Sequence, residues 1–302
     1  MPKVTLNEVL RKEDKTLRKL IVLLANVSHT IAAEIPKTLG DTTRRNIYGE
    51  RQQEIDLWAN DLLTKKLSKS NLVKQIASEE TAQPLVLKQG EYSVTLDPLD
   101  GSSNITSNNL MGTIVGIFRE TELPARGRDL VAAMYFLYGP YTQAVVALND
   151  GAYIFVASGK TATSRYLSNG AAHKLPARGT VYGIGGLKQK WTTRVHEYVQ
   201  TLEDDGLKLR YGGSFVGDFN QVLYYGGVFA YPELTDAPNG KLRLQFESNP
   251  IAFITEKVGG RGSTGTESIL DVEPTGIDQR TPTYVGNGDL INKLEHQWGQ
   301  RD

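Results

Sequence analysis

The run YSVTLDPLDGSSN, from Tyr92 to Asn104, constrains this chain more than any other. Side chains alternate through Val94 and Leu96, so the spacing predicts a short strand that stops at Pro98 and delivers Asp97 and Asp100 to a turn. The segment Gly101-Ser102-Ser103-Asn104 has the small, capping residues that open a helix and leave backbone N–H groups without intrahelical acceptors. Two carboxylates beside a nest of amides suit a metal-assisted phosphate site: the carboxylates hold hard cations and the amides receive phosphoryl oxygens.

Composition narrows the partners. Lys plus Arg and Asp plus Glu are 34 each, and this balance points to neither nucleic acid nor an anionic membrane. Any basic site must be local and sized for a small anion. The absence of cysteine removes disulfides, thiolate metal sites and cysteine nucleophiles together. The charged start MPKVTLNEVLRKEDK has no apolar signal core, and no stretch approaches a membrane span, so the expected location is the cytoplasm. At 302 residues two domains are expected.

Leu10, Leu17, Leu20, Ile21, Leu24, Val27 and Ile31 recur at helical spacing before Pro36. Lys37 to Tyr48 is polar and reads as a loop. A second helix follows Glu50, with Ile55, Trp58, Leu62 and Leu63 on one side. Strands are predicted at Leu85–Leu87, Gly112–Phe118, Leu130–Tyr138 and Ala144–Leu148. The weakly periodic stretch Ser158–Gly179 places a domain boundary near residue 172, dividing the chain into 1–172 and 173–302. Beyond it come helices at Trp191–Leu202, Phe215–Tyr225 and Pro250–Val258, and a strand at Lys241–Phe246. Strands and helices alternate throughout, so the class is α/β or α+β with stacked layers.

Acidic residues mark Glu50 and Asp56, Glu79-Glu80, Asp97 with Asp100, and Glu247. Magnesium and manganese prefer such oxygens, and a site for more than one metal needs them to converge from different elements. A basic and aromatic set comprises Arg210-Tyr211, Tyr231, Lys241 and Arg243, which suits a phosphate monoester on a sugar. His29, His173, His196 and His296 stand singly, without paired zinc spacing. Neither a G-x-S-x-G elbow nor a Walker-type loop occurs. Phosphate hydrolysis by metal-activated water is the chemistry these residues favour.

From about Glu50 to Asn287 the chain resembles class I fructose-1,6-bisphosphatase. The resemblance rests on NDLL at Asn60, SEE at Ser78, LDPLDGSSN at Leu96, GTIVGIFR at Gly112, RYGGSFVGD at Arg210, YGGVFAYP at Tyr225, GKLRLQFESNP at Gly240 and EKVGGRGSTG at Glu256. It implies an α-β-α-β-α sandwich of two stacked domains, with Mg2+ or Mn2+, two or more per active site. Glu79, Asp97, Asp100, Glu247 and the Leu99 carbonyl would be metal ligands. Asp56 and Glu80 would polarise the attacking water, and Glu50 would lie in an acidic loop near the metals. Gly101, Ser102 and Ser103 would hold the 1-phosphate with Arg243; Tyr211, Tyr231 and Lys241 would bind the 6-phosphate. Arg210 would reach the 6-phosphate of a neighbouring subunit, which implies a homotetramer.

Two departures matter. Where the family has Asn-Glu-Gly-Tyr at the 6-phosphate, this chain reads Gly185-Gly186-Leu187-Lys188. Lys188 is the candidate replacement, and sedoheptulose 1,7-bisphosphate becomes an alternative substrate; an inositol phosphate or a catalytically silent sugar-phosphate-binding subunit are remoter readings. The family's AMP-binding Gly-Thr-Gly-Glu run reads Lys12-Glu13-Asp14-Lys15, and a basic position reads Glu91, while Tyr92 and Arg119 are kept. An acidic residue facing a nucleotide phosphate repels it, so AMP inhibition is expected to be weak or absent.

Overall fold

Along Leu130–Tyr138, Ala132, Met134, Phe136 and Tyr138 lie on one face of the strand and Ala133, Tyr135 and Leu137 on the other, and all are buried. A strand apolar on both faces belongs in the middle of a sandwich. The computed structural model describes residues 3–37, 41–45, 51–159 and 165–299. In chain order the first part comprises β1 (Val4–Thr5), α1 (Leu6–Val9), α2 (Lys15–Glu34), β2 (Asp41–Arg45), β3 (Arg51–Gln53), α3 (Glu54–Ser68), β4 (Val73–Ser78), β5 (Leu85–Val86), β6 (Tyr92–Asp100), β7 (Met111–Arg119), β8 (Leu130–Tyr138), β9 (Thr142–Leu148), β10 (Gly151–Ala157) and β11 (Tyr166–Ser168). There follow β12 (Val181–Ile184), α4 (Thr193–Asp204), β13 (Lys208–Leu209), α5 (Phe215–Tyr225), β14 (Gly227–Tyr231), a π-helical turn (Leu244–Ser248), α6 (Asn249–Lys257), β15 (Arg261–Ser263), β16 (Thr283–Gly286) and α7 (Gly288–Gly299).

A nine-stranded sheet runs β1-β11-β10-β9-β8-β7-β6-β4-β5, and a five-stranded sheet runs β13-β12-β14-β16-β15. Three apolar layers separate the elements. Leu17, Leu24 and Ile31 of α2 and Ile55 and Leu63 of α3 pack with Val94, Val115, Met134 and Val146 on the outer face of the large sheet. Its inner face, with Ile114, Tyr135 and Val145, meets α5 (Val216, Phe219, Leu223), α6 (Ile251, Phe253) and the small sheet's Val181, Phe229 and Val285. The small sheet's other face, with Tyr182, Val228 and Tyr284, is covered by α4 (Val195, Tyr198) and α7 (Ile291, Trp298). The order is therefore helix, sheet, helix, sheet, helix. Each fully buried Leu, Ile or Phe contributes about 1.5–3 kcal/mol, so each layer resists separation strongly.

Local structure departs from expectation in four places. β6 does not stop at Pro98 but continues to Asp100. Asp97 pairs with Ile114 and Asp100 with Gly112, so a bulge inserts one residue and removes Pro98 from the need to donate. Gly101 opens a 3-10 turn, Ser102–Ile105, not an α-helix. Lys241–Phe246 is not a strand: Arg243 makes one bridge with Arg280, and the chain then enters the π-helical turn. Within the Lys37–Tyr48 loop, Asp41–Arg45 forms a strand paired with Arg51–Gln53. No helix among the described residues is long and apolar enough to cross a membrane.

Candidate active site

The parallel register of β4 and β6 sets Ser78 beside Leu96, and the Glu79 N–H donates to the Leu96 carbonyl (3.0 Å). Glu79 therefore leaves its strand end alongside Asp97. The π-helical turn then brings Glu247 over both; such turns widen a helix by one residue and re-aim a side chain. One oxygen each of Glu79, Asp97 and Glu247 lies within 4.8 Å of the others. Asp97 and Glu247 are buried. Hard oxygen donors at this spacing, from three elements, fit a divalent cation of the magnesium or manganese kind.

Arg243 is buried and forms an ion pair with Glu79, while its backbone N–H donates to Glu247 Oε2 (2.6 Å). One guanidinium does not offset so many carboxylates. Asp97 is held well above the ordinary carboxylate range, chiefly by burial and then by the charges of Glu79, Asp100, Glu247 and Glu80. Glu247 is pushed up in the same way, by burial first and Glu79 second. Carboxylates raised together in one cleft are an environment that the charge of a bound cation would relieve.

Asp100 faces elsewhere. Its Oδ1 accepts from Phe215 N–H (3.1 Å) and its Oδ2 from Ser214 Oγ (2.7 Å) and Val216 N–H (2.8 Å). It thus sits on the N-terminus of α5, where backbone amides favour negative charge. Burial raises its pKa, and these donors offset part of that rise. Gly101 makes this junction possible. Its φ is +74°, and a Cβ there would lie 2.5 Å from Ser214 Cβ. Only glycine permits that approach.

A cavity of about 270 Å³ joins these groups. Asp56, Glu79, Glu80, Asp97, Leu99, Asp100 and Glu247 line its acidic end. Gly101, Ser102, Ser103 and Arg243 adjoin them, and Tyr211, Tyr231 and Lys241 line the remainder. Asp56 is buried in the first turn of α3, and the Leu99 N–H donates to Asp97 Oδ1 (3.1 Å). The first N–H groups of the Ser102–Ile105 turn have no acceptor within the turn and are suited to an anion. Lys241 Nζ lies 5.4 Å from the centre of the Tyr231 ring.

Two expected residues stand apart from this cavity. Arg210 is exposed, with Nη1 donating to Gln221 Oε1 (2.7 Å) and its guanidinium 4.5 Å from the Tyr225 ring centre. Lys188 is exposed in a 3-10 turn and lines a separate depression with Trp191, His196 and Glu203. Glu50 lies outside the described residues. The structure adds Asp218 and Ser214 to the cavity wall. Asp218 accepts from Gly212 N–H (2.6 Å) and Gly213 N–H (3.0 Å), and burial pushes it up to about 6. The spacing Gly-Gly-Ser-x-x-x-Asp was its only sequence signal, that of a carboxylate one turn into a helix reaching back to a glycine loop.

At the other end of the large sheet, Asp14 caps α2, its Oδ1 accepting from Thr16 N–H and Leu17 N–H (2.9 Å each). Its Oδ2 accepts from Tyr92 Oη (2.8 Å) and pairs with Arg119. Lys12 pairs with Asp150 nearby.

The comparisons with known proteins agree with this geometry. Family models described as the N-terminal and C-terminal domains of fructose-1-6-bisphosphatase match residues 5–163 and 175–298. A class 1 fructose-1,6-bisphosphatase of Halobacterium salinarum is 46% identical over 274 residues, covering 90% of this chain and 93% of its own. One from Methanocorpusculum labreanum is 42% identical over 280 residues, covering 92% and 86%. The crystal structure of Leishmania major fructose-1,6-bisphosphatase in holo form superposes with a TM-score of 0.92 at 28% identity, covering 99% of this chain and 100% of that one. With matches spanning nearly its whole length and the layered fold in common, this chain belongs to the class 1 fructose-1,6-bisphosphatase family.

Proposed function

We propose that the chain hydrolyses the 1-phosphate of fructose 1,6-bisphosphate, giving fructose 6-phosphate and inorganic phosphate. The observation that carries this is the convergence of Glu79, Asp97 and Glu247 within 4.8 Å, in a cavity that also holds Arg243 and the Gly101–Ser103 turn. Glu79, Asp97, Glu247, Asp100 and the Leu99 carbonyl would hold Mg2+ or Mn2+, two or more per site. Asp100 would use the lone pairs left by its contacts to α5. When bound, the cations neutralise phosphoryl charge and sharpen the acidity of water.

The chain's own groups do the rest. The amides of Gly101, Ser102 and Ser103 and the Arg243 guanidinium receive the 1-phosphoryl oxygens, where charge builds in the transition state. Asp56 and Glu80 accept hydrogen bonds from the attacking water, orient it in line with the departing sugar oxygen, and take its proton. The phosphorus–oxygen bond to C1 breaks as the new one forms, and the sugar alkoxide leaves as an alcohol once protonated. Tyr211, Tyr231 and Lys241 hold the 6-phosphate, so distant binding energy positions the reacting centre.

Halves at 1–172 and 173–302 would then meet at the site, in a cytoplasmic homotetramer where the exposed Arg210 serves a neighbouring subunit. Glu50 is proposed to act from the acidic loop beside the metals; Lys188, standing off the cavity, is left out. Sedoheptulose 1,7-bisphosphate is the second reading, motivated by the departure of Gly185–Lys188 from the family's Asn-Glu-Gly-Tyr run at the 6-phosphate. Phosphate release from the two bisphosphates and from inositol 1-phosphate, with magnesium or chelator, decides. Magnesium-dependent release greatest from the fructose substrate is expected; release unaffected by chelator would overturn the metal-site reading.

A further inference from the structure

We propose that Gly185 is a specificity-determining position, because its missing side chain is the seat of the Tyr231 ring. An ideal Cβ on Gly185 would lie 2.4 Å from Tyr231 Cε2, 2.5 Å from Cδ2 and 2.8 Å from Cζ. The Cδ2–Cε2–Cζ edge of the ring therefore occupies the space a side chain at 185 would need, while Lys241 Nζ stands 5.4 Å from the ring centre. Tyr231 lines the far end of the cavity with Tyr211 and Lys241, so one ring stands among the polar groups there.

Neither partner can retreat by moving its backbone. The Gly185 N–H donates to the Ala230 carbonyl (2.9 Å), and its own carbonyl accepts from Trp191 Nε1 (3.1 Å). Tyr231 is paired with Thr283 in the small sheet. Glu233, two residues on and buried, accepts from Arg194 Nε (2.8 Å) and Tyr284 Oη (2.9 Å). A methyl group at 185 must be relieved by rotation of the Tyr231 side chain, which carries its hydroxyl away from the cavity end lined by Tyr211 and its ring away from Lys241. The bare backbone at Gly185 is thus the surface on which the Tyr231 ring is seated.

This inference rests on the reading of the cavity as a sugar-bisphosphate site. The test compares wild type, Gly185→Ala, Tyr231→Leu and the double variant, with fructose 1,6-bisphosphate and with fructose 1-phosphate, which lacks the distal phosphate. Gly185→Ala should raise KM for the bisphosphate about tenfold to hundredfold, the worth of one or two charge-assisted hydrogen bonds. The kcat should stay within about threefold, and kcat/KM for fructose 1-phosphate should be unchanged. In the Tyr231→Leu background the same alanine should change nothing further, since the group it displaces is gone. An unaltered KM, an equal loss on both substrates, or full additivity in the double variant would overturn the proposal. If Gly185→Ala does not fold, thermal melts of the double variant decide: recovered folding supports the seat, and none refutes it. A wild-type protein inactive on the bisphosphate would instead reject the functional reading.

Discussion

Replacing Asp97 with asparagine should stabilise the metal-free protein while abolishing its response to metal. Oxygens of Glu79, Asp97 and Glu247 lie within 4.8 Å of one another. At an effective dielectric constant of about 20, two like charges at that separation repel by about 3 kcal/mol. Arg243 pairs with Glu79, yet Glu79 is still the strongest charge acting on Asp97, with Asp100 and Glu247 behind it. Part of that repulsion is already relieved by protonation, because burial and the neighbouring carboxylates hold the Asp97 pKa well above its usual value. Asp97→Asn should therefore gain about 1–3 kcal/mol, or about 2–4 °C in Tm per kcal/mol. The asparagine Oδ1 can still accept from the Leu99 N–H, so the bulge at Pro98 is kept.

The sign with pH follows from the raised pKa. Above about 3.9 the unfolded Asp97 has lost its proton, whereas the folded one still holds it. Metal-free stability contributed by this group falls as pH rises through that window, and the asparagine variant lacks the slope. With magnesium at about 100 times its Kd, wild type should gain about 2.7 kcal/mol and the variant little. Melts followed by circular dichroism, in chelator and in magnesium across pH, would show the order of stability reversing. A variant less stable than wild type in chelator, or equally stabilised by magnesium, would refute the electrostatic account.

Arg243→Met strands Glu79 and Glu247 in a buried site, and should cost about 3–5 kcal/mol in chelator with partial rescue by magnesium; urea titrations would check it, and an undiminished midpoint would count against it. Asp218, raised to about 6 by burial, should take up a proton as pH falls through that value and loosen the Gly212-Gly213 amides, so KM rises in acid. Because its folded pKa exceeds the unfolded one, that acid limb should weaken affinity without lowering stability, and Asp218→Asn should flatten it. AMP should not inhibit at physiological concentration, since Asp14 already occupies Tyr92 and Arg119; calorimetry showing tight binding would refute this.

Much of the site was legible because its parts are short-range. The alternation before Asp97, the glycine after Asp100 and the carboxylate pairs all declare themselves within a few residues. The helices of the outer layer were legible for the same reason, since apolar spacing from Leu17 to Ile31 encodes one buried face. Lys241–Phe246 misled because its apolar alternation belongs to a buried segment whose backbone coils into a π-helical turn. Lys188 lies in an exposed 3-10 turn off the cavity, a placement no local pattern in the sequence gives. β12, β14 and β16, short and rich in glycine, carry too little pattern to announce a sheet.

The sequence by itself determined the kind of chemistry, hard oxygen ligands beside phosphate-binding amides, because residue type and local spacing decide which groups are available. Only the tertiary structure decided which of them act together. It brought Glu79 and Glu247 to Asp97, turned Asp100 onto the N-terminus of α5, recruited Asp218 to the glycine loop and set the edge of the Tyr231 ring against Gly185. Charge repulsion, desolvation and van der Waals exclusion act through space over a few ångströms, and strand register and layer packing set those distances between residues far apart in the chain.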